Sequence, residues 1–132
     1  MLKVTTIKQK VSIPATPEEV YEAFMDAKKH SAFTGSKATC NPKVGGKFTT
    51  WDGYISGKNL ELERGKRIVQ EWITTDWPSG APPSRLELTF KKVKDGTEIM
   101  LVQSNAPQEQ ADDLAEGWNE FYWKPLKEYF KK

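Results

Sequence analysis

The side chains that most often carry chemistry in proteins are scarce in this sequence. It has one histidine, His30, and one cysteine, Cys40, ten positions apart with a glycine between them. A zinc site needs several ligands that converge on one point, and a nucleophile needs an adjacent base. His30 follows Lys28 and Lys29 in a charged helical stretch, so we expect it to be exposed, and we expect Cys40 at a strand end. The sequence therefore predicts neither a metal site nor a catalytic nucleophile.

The carboxylate pairs and the paired glycines also suggest structural roles. Glu18-Glu19 starts a helix, and Asp112-Asp113 falls in the first turn of another, where acidic side chains interact favourably with the helix dipole. Glu61 and Glu63 project from one face of a strand. Gly45-Gly46 precedes a strand and lacks the G-x-x-x-x-G-K-[ST] spacing of a phosphate-binding loop. We therefore expect no catalytic residue and no cofactor.

Aromatic side chains are the remaining candidates for a site. The chain contains five Trp, four Tyr and six Phe, and such rings either fill a core or line a ligand cavity, where a polar tip fixes orientation. We predict a cavity between the C-terminal helix and central strands of a sheet. Its predicted lining residues are Trp72, Met100, Trp118, Phe121 and Tyr122. Plain core packing of the same rings is the alternative.

Other aromatic residues point to a contact surface. Trp77 lies on the proline-rich segment 76–84, where a ring has no obvious core role, and exposed aromatic residues are typical of partner surfaces. We predict a partner surface that consists of Trp77 and Arg85. Trp123 and Phe130 lie on the flank of the C-terminal helix and are expected to be exposed.

The elements that must position these residues can be recognised from their patterns. Residues 3–13 alternate as a strand, and Thr16-Pro17-Glu18-Glu19 is a capping box that starts a helix. A short helical turn follows at His30–Phe33 and stops at Gly35. Asp52-Gly53 is a preferred hairpin pair, and further strands are predicted at 45–51, 54–63, 66–75, 86–91 and 97–104.

The last 25 residues form the longest predicted helix. Its apolar positions recur at helical spacing, and Pro125 removes one N–H and is expected to kink the helix near Phe121. Strand, two short helices, a meander and a long helix predict an α+β fold. We expect a curved antiparallel sheet of about six to seven strands wrapped around the C-terminal helix.

Length and charge limit the function classes. The chain has 132 residues and a net charge of +2, which favours one domain over 1–132 and does not suggest a nucleic-acid-binding protein. We find no signal peptide and no apolar run of membrane-spanning length. A lone cysteine suits a reducing compartment, so we expect a cytoplasmic protein.

The block 45–72, the WPSG loop at 77–80 and the C-terminal GWNEFYWKPLKEYF resemble one known family. This is the activator-of-heat-shock-protein-90-ATPase-like family, within the START-like (SRPBCC) helix-grip superfamily that also contains the birch-pollen-allergen fold. The resemblance runs from Ile13 to the end of the chain and implies a sheet around the C-terminal helix with a cavity between them. The eukaryotic co-chaperone has two domains, and this chain resembles only the C-terminal one.

Three functions follow as expectations. The first is a non-enzymatic, chaperone-associated binding domain whose partner is a heat-shock-protein-90-type chaperone. The second is a binder or sensor of a small apolar ligand in the cavity. The third is a cyclase- or hydrolase-like enzyme of the superfamily, which would need a polar cluster inside the cavity.

Overall fold

The computed structural model describes residues 3–131, in which one open sheet carries all the helices on one face. The strands are β1 Val4–Ile13, β2 Thr39–Cys40, β3 Lys47–Thr50, β4 Ile55–Glu63, β5 Arg67–Thr74, β6 Ser84–Val93 and β7 Gly96–Pro107. The helices are α1 Pro17–Met25, α2 Ala27–Thr34, α3 Ala111–Trp118 and α4 Lys124–Phe130. A 3-10 turn, Gln108–Gln110, precedes α3, and a π-helical turn, Asn119–Trp123, joins α3 to α4.

The strand order is β1-β7-β6-β5-β4-β3-β2, and every neighbouring pair is antiparallel. Strands β2 to β7 follow one another as a meander, and β1 pairs with β7 at the far edge of the sheet. The predicted α+β helix-grip architecture is therefore confirmed. The described part of the chain adds one short strand, β2, that the sequence pattern did not single out.

The helix starts agree with the sequence pattern. The Thr16 hydroxyl accepts the Glu19 N–H at 3.1 Å, and the Glu19 carboxylate accepts the Thr16 N–H at 3.0 Å. Asp26 ends α1 and caps α2, because its carboxylate accepts the N–H groups of Lys28 and Lys29. Gly35 then ends α2 in the left-handed conformation (φ 78°), as predicted.

The turn between β3 and β4 uses three left-handed residues. Asp52 (φ 55°) and Gly53 (φ 91°) adopt the positive φ expected of them, but Trp51 does so as well (φ 53°). A positive φ is uncommon for a bulky residue such as tryptophan, because its Cβ crowds the neighbouring carbonyl. The turn therefore holds the Trp51 ring in a position that ordinary backbone geometry would not give.

The C-terminal helix is interrupted where Pro125 predicts it. Pro125 cannot donate the bond that would reach the carbonyl of Phe121 in an α-helix, and a π-helical turn fills 119–123, with the Lys124 N–H bonded to the Asn119 carbonyl. The larger turn places Trp118 and Trp123 on the same side of the helix. Their rings stack at 5.6 Å and 22°.

The core lies between the helices and the inner face of the sheet. Its most deeply buried members are Ile13, Val20, Ile68, Leu86, Leu88, Ile99, Leu101 and Leu126. None of the helices within residues 3–131 is both long enough and apolar enough to cross a membrane.

Candidate functional site

The most prominent feature is a cleft of about 690 Å³ between the first half of the C-terminal helix and the ends of β3, β4 and β5. Six aromatic side chains line it: Trp51, Tyr54, Trp72, Trp118, Phe121 and Tyr122. Ile55, Leu114 and Gly117 add apolar surface, and Thr74, Asp76, Gln110 and Asp113 add polar groups. Its volume falls in the range of about 300–1,000 Å³ that is typical of small-molecule sites.

Hydrogen bonds fix the Trp118 ring on the cleft wall. The Trp118 Nε1–H donates to Gln103 Oε1 at 2.9 Å, and the Gln103 amide donates to the Ser84 hydroxyl at 3.0 Å. That hydroxyl in turn donates to the Trp72 carbonyl at 2.6 Å. Trp118 is 3% exposed and lies 5.7 Å from the Trp72 ring. The wall is thus held rigidly by a chain of bonds that ends on the sheet backbone.

A small inner cavity of about 20 Å³ lies behind the cleft, and both spaces are lined by Trp72, Trp118 and Tyr122. The Phe24 carbonyl, 3.2 Å from His30 Nδ1, can only accept, so this nitrogen carries the proton. His30 Nε2 then accepts from the Tyr122 hydroxyl at 3.3 Å, and Thr50 donates to the same hydroxyl oxygen at 3.1 Å. These bonds form one chain: Thr50, Tyr122, His30 and the Phe24 carbonyl.

Burial shifts the pKa of both ring groups in this chain. Desolvation lowers the pKa of His30 to about 4, against a smaller opposing effect of the Phe24 carbonyl. Desolvation also raises the pKa of Tyr122 to about 12, although hydrogen bonds from Thr50 and Trp51 oppose it. Both groups are therefore neutral near pH 7. The inner cavity has room for about one water molecule and none for a substrate.

The rim of the cleft is formed by more exposed side chains. Phe121 is 55% exposed, and its ring meets the Trp51 ring edge-on at 5.5 Å. The Tyr54 hydroxyl donates to Asp76 Oδ2 at 2.8 Å, and the Gln110 amide donates to the Asp76 carbonyl at 2.7 Å. The segment after β5 is therefore tied to both β4 and the start of the C-terminal helix.

Within residues 3–131, no three side chains of His, Cys, Asp or Glu converge as a metal site would require. Cys40 lies at the end of β2, as predicted, and burial raises the pKa of its thiol. A raised thiol pKa disfavours the nucleophilic thiolate.

Comparison with known proteins identifies the family. Residues 14–131 match the family model described as Activator of Hsp90 ATPase homolog 1-like protein. The chain belongs to this family. It is 34% identical over 114 residues to the activator of 90 kDa heat shock protein ATPase homolog of Dictyostelium discoideum, which covers 86% of this chain and 30% of that protein. It is 31% identical over 131 residues to the human homolog 1, which covers 98% of this chain and 38% of the human protein.

The chain thus spans between 30% and 38% of the length of these two curated relatives. Solved structures agree on the fold. An HSP90 activator from Plasmodium falciparum has a TM-score of 0.78 and 25% identity, and the match covers 90% of each chain. A protein from Mesorhizobium loti has a TM-score of 0.81 and 20% identity over 95% of this chain and 96% of that one, which shows the fold alone.

In this member of the Hsp90-ATPase-activator-like family, four of the five predicted cavity residues line the cleft: Trp72, Trp118, Phe121 and Tyr122. The prediction for Met100 was wrong. Met100 is 41% exposed on the outward face of β7, because Ile99 and Leu101 on either side of it take the inward positions. The run 99–102 is apolar throughout, so alternation gave no signal for which residues point inward.

Three further expectations need correction. His30 is buried, because it shares an inward helix face with Phe33 while Lys28 and Lys29 face solvent. Trp123 is buried, because the π-helical turn rotates it toward the sheet, where its Nε1–H donates to Gln9 Oε1 at 2.7 Å. Phe130 is half-buried and packs against the core.

The two predicted partner-surface residues lie on different faces. Trp77 packs edge-on against Trp72 at 6.1 Å, and its Nε1–H donates to the Pro82 carbonyl at 3.0 Å, so this ring does have a core role. Arg85 projects from the outward face of β6, where it pairs with Glu87 at 3.2 Å and Glu61 at 3.7 Å.

Sequence reasoning missed the rim of the cleft, namely Trp51, Tyr54, Asp76, Gln110 and Asp113. Trp51 and Tyr54 flank the Asp52-Gly53 turn, which the sequence did reveal. These two bulky rings beside a predicted turn were the sequence signal that could have indicated the rim of the cleft.

Proposed function

We propose that the chain is a cytosolic, non-enzymatic binding domain that acts as an accessory to an Hsp90-type chaperone. One observation carries the proposal: the match to the solved structure of an HSP90 activator from Plasmodium falciparum covers 90% of each chain. The curated relatives that carry the activator name are longer than this chain.

Arg85 on the outward face of the sheet is the proposed contact residue. Arg67 pairs with Glu61 and with Glu87, both at 2.8 Å, and Arg85 pairs with the same two carboxylates. The network holds a 41%-exposed guanidinium in place, which lowers the entropy lost when it binds a partner carboxylate. Trp77 supports this surface indirectly, because it anchors the loop that leads into β6.

The test is a titration of the purified chain into the Hsp90 of the same organism, with ATP turnover and binding as readouts. We expect turnover to rise, and we expect Arg85→Ala to weaken binding about tenfold, as loss of a charge-assisted contact does. Lys29→Ala, an exposed cation on α2, is the control and should bind like the parent chain. Unchanged turnover together with no binding at tens of micromolar would reject the proposal.

The cleft favours a second candidate function, binding of a small molecule with an apolar body. Rigid aromatic walls and a volume of about 690 Å³ are the supporting observations. Native mass spectrometry of freshly purified protein should then reveal a bound small molecule, and Phe121→Trp, which narrows the mouth of the cleft, should reduce its occupancy. A single mass that matches the bare chain, together with no binding of aromatic probes, would argue against this function.

A further inference from the structure

We propose that the cleft selects an organic cation, a small amine or quaternary ammonium compound with an aromatic or aliphatic body. The inference rests on the second proposed function, because it presupposes that the cleft holds a ligand. It specifies the sign of the ligand's charge and the residues that recognise that charge.

The first argument is the charge of the lining. Among the described residues that line the cleft, Asp76 and Asp113 are the charged ones, and both are acidic. The whole chain carries 20 Lys and Arg against 18 Asp and Glu. The lining therefore contributes two negative charges in a chain whose net charge is +2. A cation that enters it gains from both carboxylates.

The second argument is that Asp76 is held in place. The Tyr54 hydroxyl donates to Asp76 Oδ2 at 2.8 Å, and the Gln110 amide fixes the Asp76 backbone at 2.7 Å. The pKa of Tyr54 is raised, first by the hydrogen bond to Asp76 and by burial, then by the charges of Asp76 and Asp113. Asp76 and Asp113 both line the cleft, so a cation bound there is attracted by two carboxylates.

The third argument is the nature of the walls. Cations bind favourably over the faces of Trp and Tyr rings, and clusters of such rings recognise alkylated ammonium groups. Trp51 and Trp118 lie 6.4 Å and 4.7 Å from the Tyr122 ring, so three aromatic rings line the same part of the cleft. Trp51 holds its place with a left-handed backbone. Strain of this kind persists where the surroundings over-determine it and is concentrated at binding sites.

The experiment compares three probes that share one ring and differ in charge: (1-naphthylmethyl)trimethylammonium, 1-naphthalenemethanol and 1-naphthaleneacetate. Isothermal titration calorimetry at low salt measures their affinities for the full chain. We expect the cation to bind about fivefold to tenfold more tightly than the neutral probe, and the anion to bind most weakly. Added salt should weaken binding of the cation, strengthen binding of the anion and leave the neutral probe unchanged, since exposed charges are screened.

Matched variants identify the residues responsible. Asp113 lines the cleft and its neighbour Asp112 does not, although both are exposed acids in the first turn of α3. Asp113→Asn should lower the affinity for the cation about twofold to fivefold and leave the neutral probe unaffected. Asp112→Asn removes the same charge and should change neither affinity.

Each alternative outcome has a distinct meaning. Equal affinities for the three probes would overturn the charge inference and leave the cleft as a ligand site. Equal effects of Asp112→Asn and Asp113→Asn would overturn the assignment to the rim. Failure of all three probes to bind at millimolar concentration would overturn this inference together with the second proposed function.

Discussion

The spaces on the two sides of the Tyr122 ring differ sharply, although both lie between the C-terminal helix and the sheet. On the inner side the cavity measures about 20 Å³, and rings from α1 and α2, including Phe24 and Phe33, pack against Tyr122 at about 6 Å. On the outer side the cleft measures about 690 Å³ and opens past Phe121 and Trp51. The helices α1 and α2 fill one end of the space between helix and sheet and leave the other end open.

The difference separates residues that maintain the fold from residues free to bind. On the inner side every polar group has a partner, because a buried polar group without one is costly. On the outer side the Phe121 and Tyr54 rings of the rim stand at the surface, and a change there costs the fold little. Four predictions test this division, from the largest expected effect on stability to the smallest.

Trp118 belongs to the fold as well as to the cleft. Trp118→Ala removes a buried ring and leaves Gln103 without its donor, so the free energy of unfolding should fall by about 3–5 kcal/mol. Urea denaturation followed by circular dichroism measures the change. A loss below about 1 kcal/mol would show that Trp118 is a wall of the cleft and little else.

His30 should make stability depend on pH. Its pKa is about 4 in the folded chain and about 6.5 when unfolded, so between these values the unfolded chain binds more protons and stability falls as pH falls. The full difference amounts to about 3 kcal/mol. This contribution to the free energy of unfolding is fully present above pH 6.5 and is lost as pH drops toward 4. His30→Gln is the control, because it keeps the carboxylate titrations of the parent chain. Plotted against pH, the free energies of unfolding of the two proteins should converge between pH 6.5 and pH 4. Parallel curves would contradict the prediction.

The Tyr122 hydroxyl is hydrogen-bonded to His30 and Thr50 on the inner side. Tyr122→Phe keeps the ring but leaves His30 Nε2 and Thr50 without this partner, so we expect a loss of about 1–3 kcal/mol in the free energy of unfolding. The affinity of any aromatic probe for the cleft should stay within twofold of the parent value, a difference of about 0.4 kcal/mol in binding free energy. A larger change in affinity would mean that the two sides are coupled.

Phe121 should behave in the opposite way. Phe121→Ala removes a ring that is 55% exposed and whose ring contact is with Trp51, so stability should fall by no more than about 1 kcal/mol. Probe affinity measured by calorimetry should drop instead. A stability loss close to that of Trp118→Ala would remove the distinction between rim and wall.

Local signals predicted the elements well and the outward direction of side chains less well. The capping box at Thr16–Glu19 and the Asp52-Gly53 turn each depend on a few adjacent residues, and both appear as expected. Met100 lies in an uninterrupted apolar run, where period-two alternation disappears, so its outward direction depends on the register with β1 and β6.

The site was predictable where the helix is regular. Trp118 and Tyr122 are four residues apart and face the sheet as the 3.6-residue period requires. The direction of the Trp123 side chain was not predictable, because it follows from the π-helical turn. Pro125 indicated where the helix would be irregular but not which irregularity would form. His30 depends on a contact 92 residues away with Tyr122, which no local pattern contains.

The pairing of β1 with β7 has a consequence for the order in which the molecule assembles during synthesis. Residues of β4, β5 and β6 pair across β4–β5 and β5–β6 at sequence separations of 22 or fewer, for example Arg67 with Thr89. Lys10, by contrast, pairs with Met100, and Gln9 accepts a hydrogen bond from Trp123. Contacts so distant along the chain slow folding, because a long loop must close before they form. Of the seven strands, β1 is therefore made first and joins the sheet last, and until then the edge of β7 that it covers stays open to other chains.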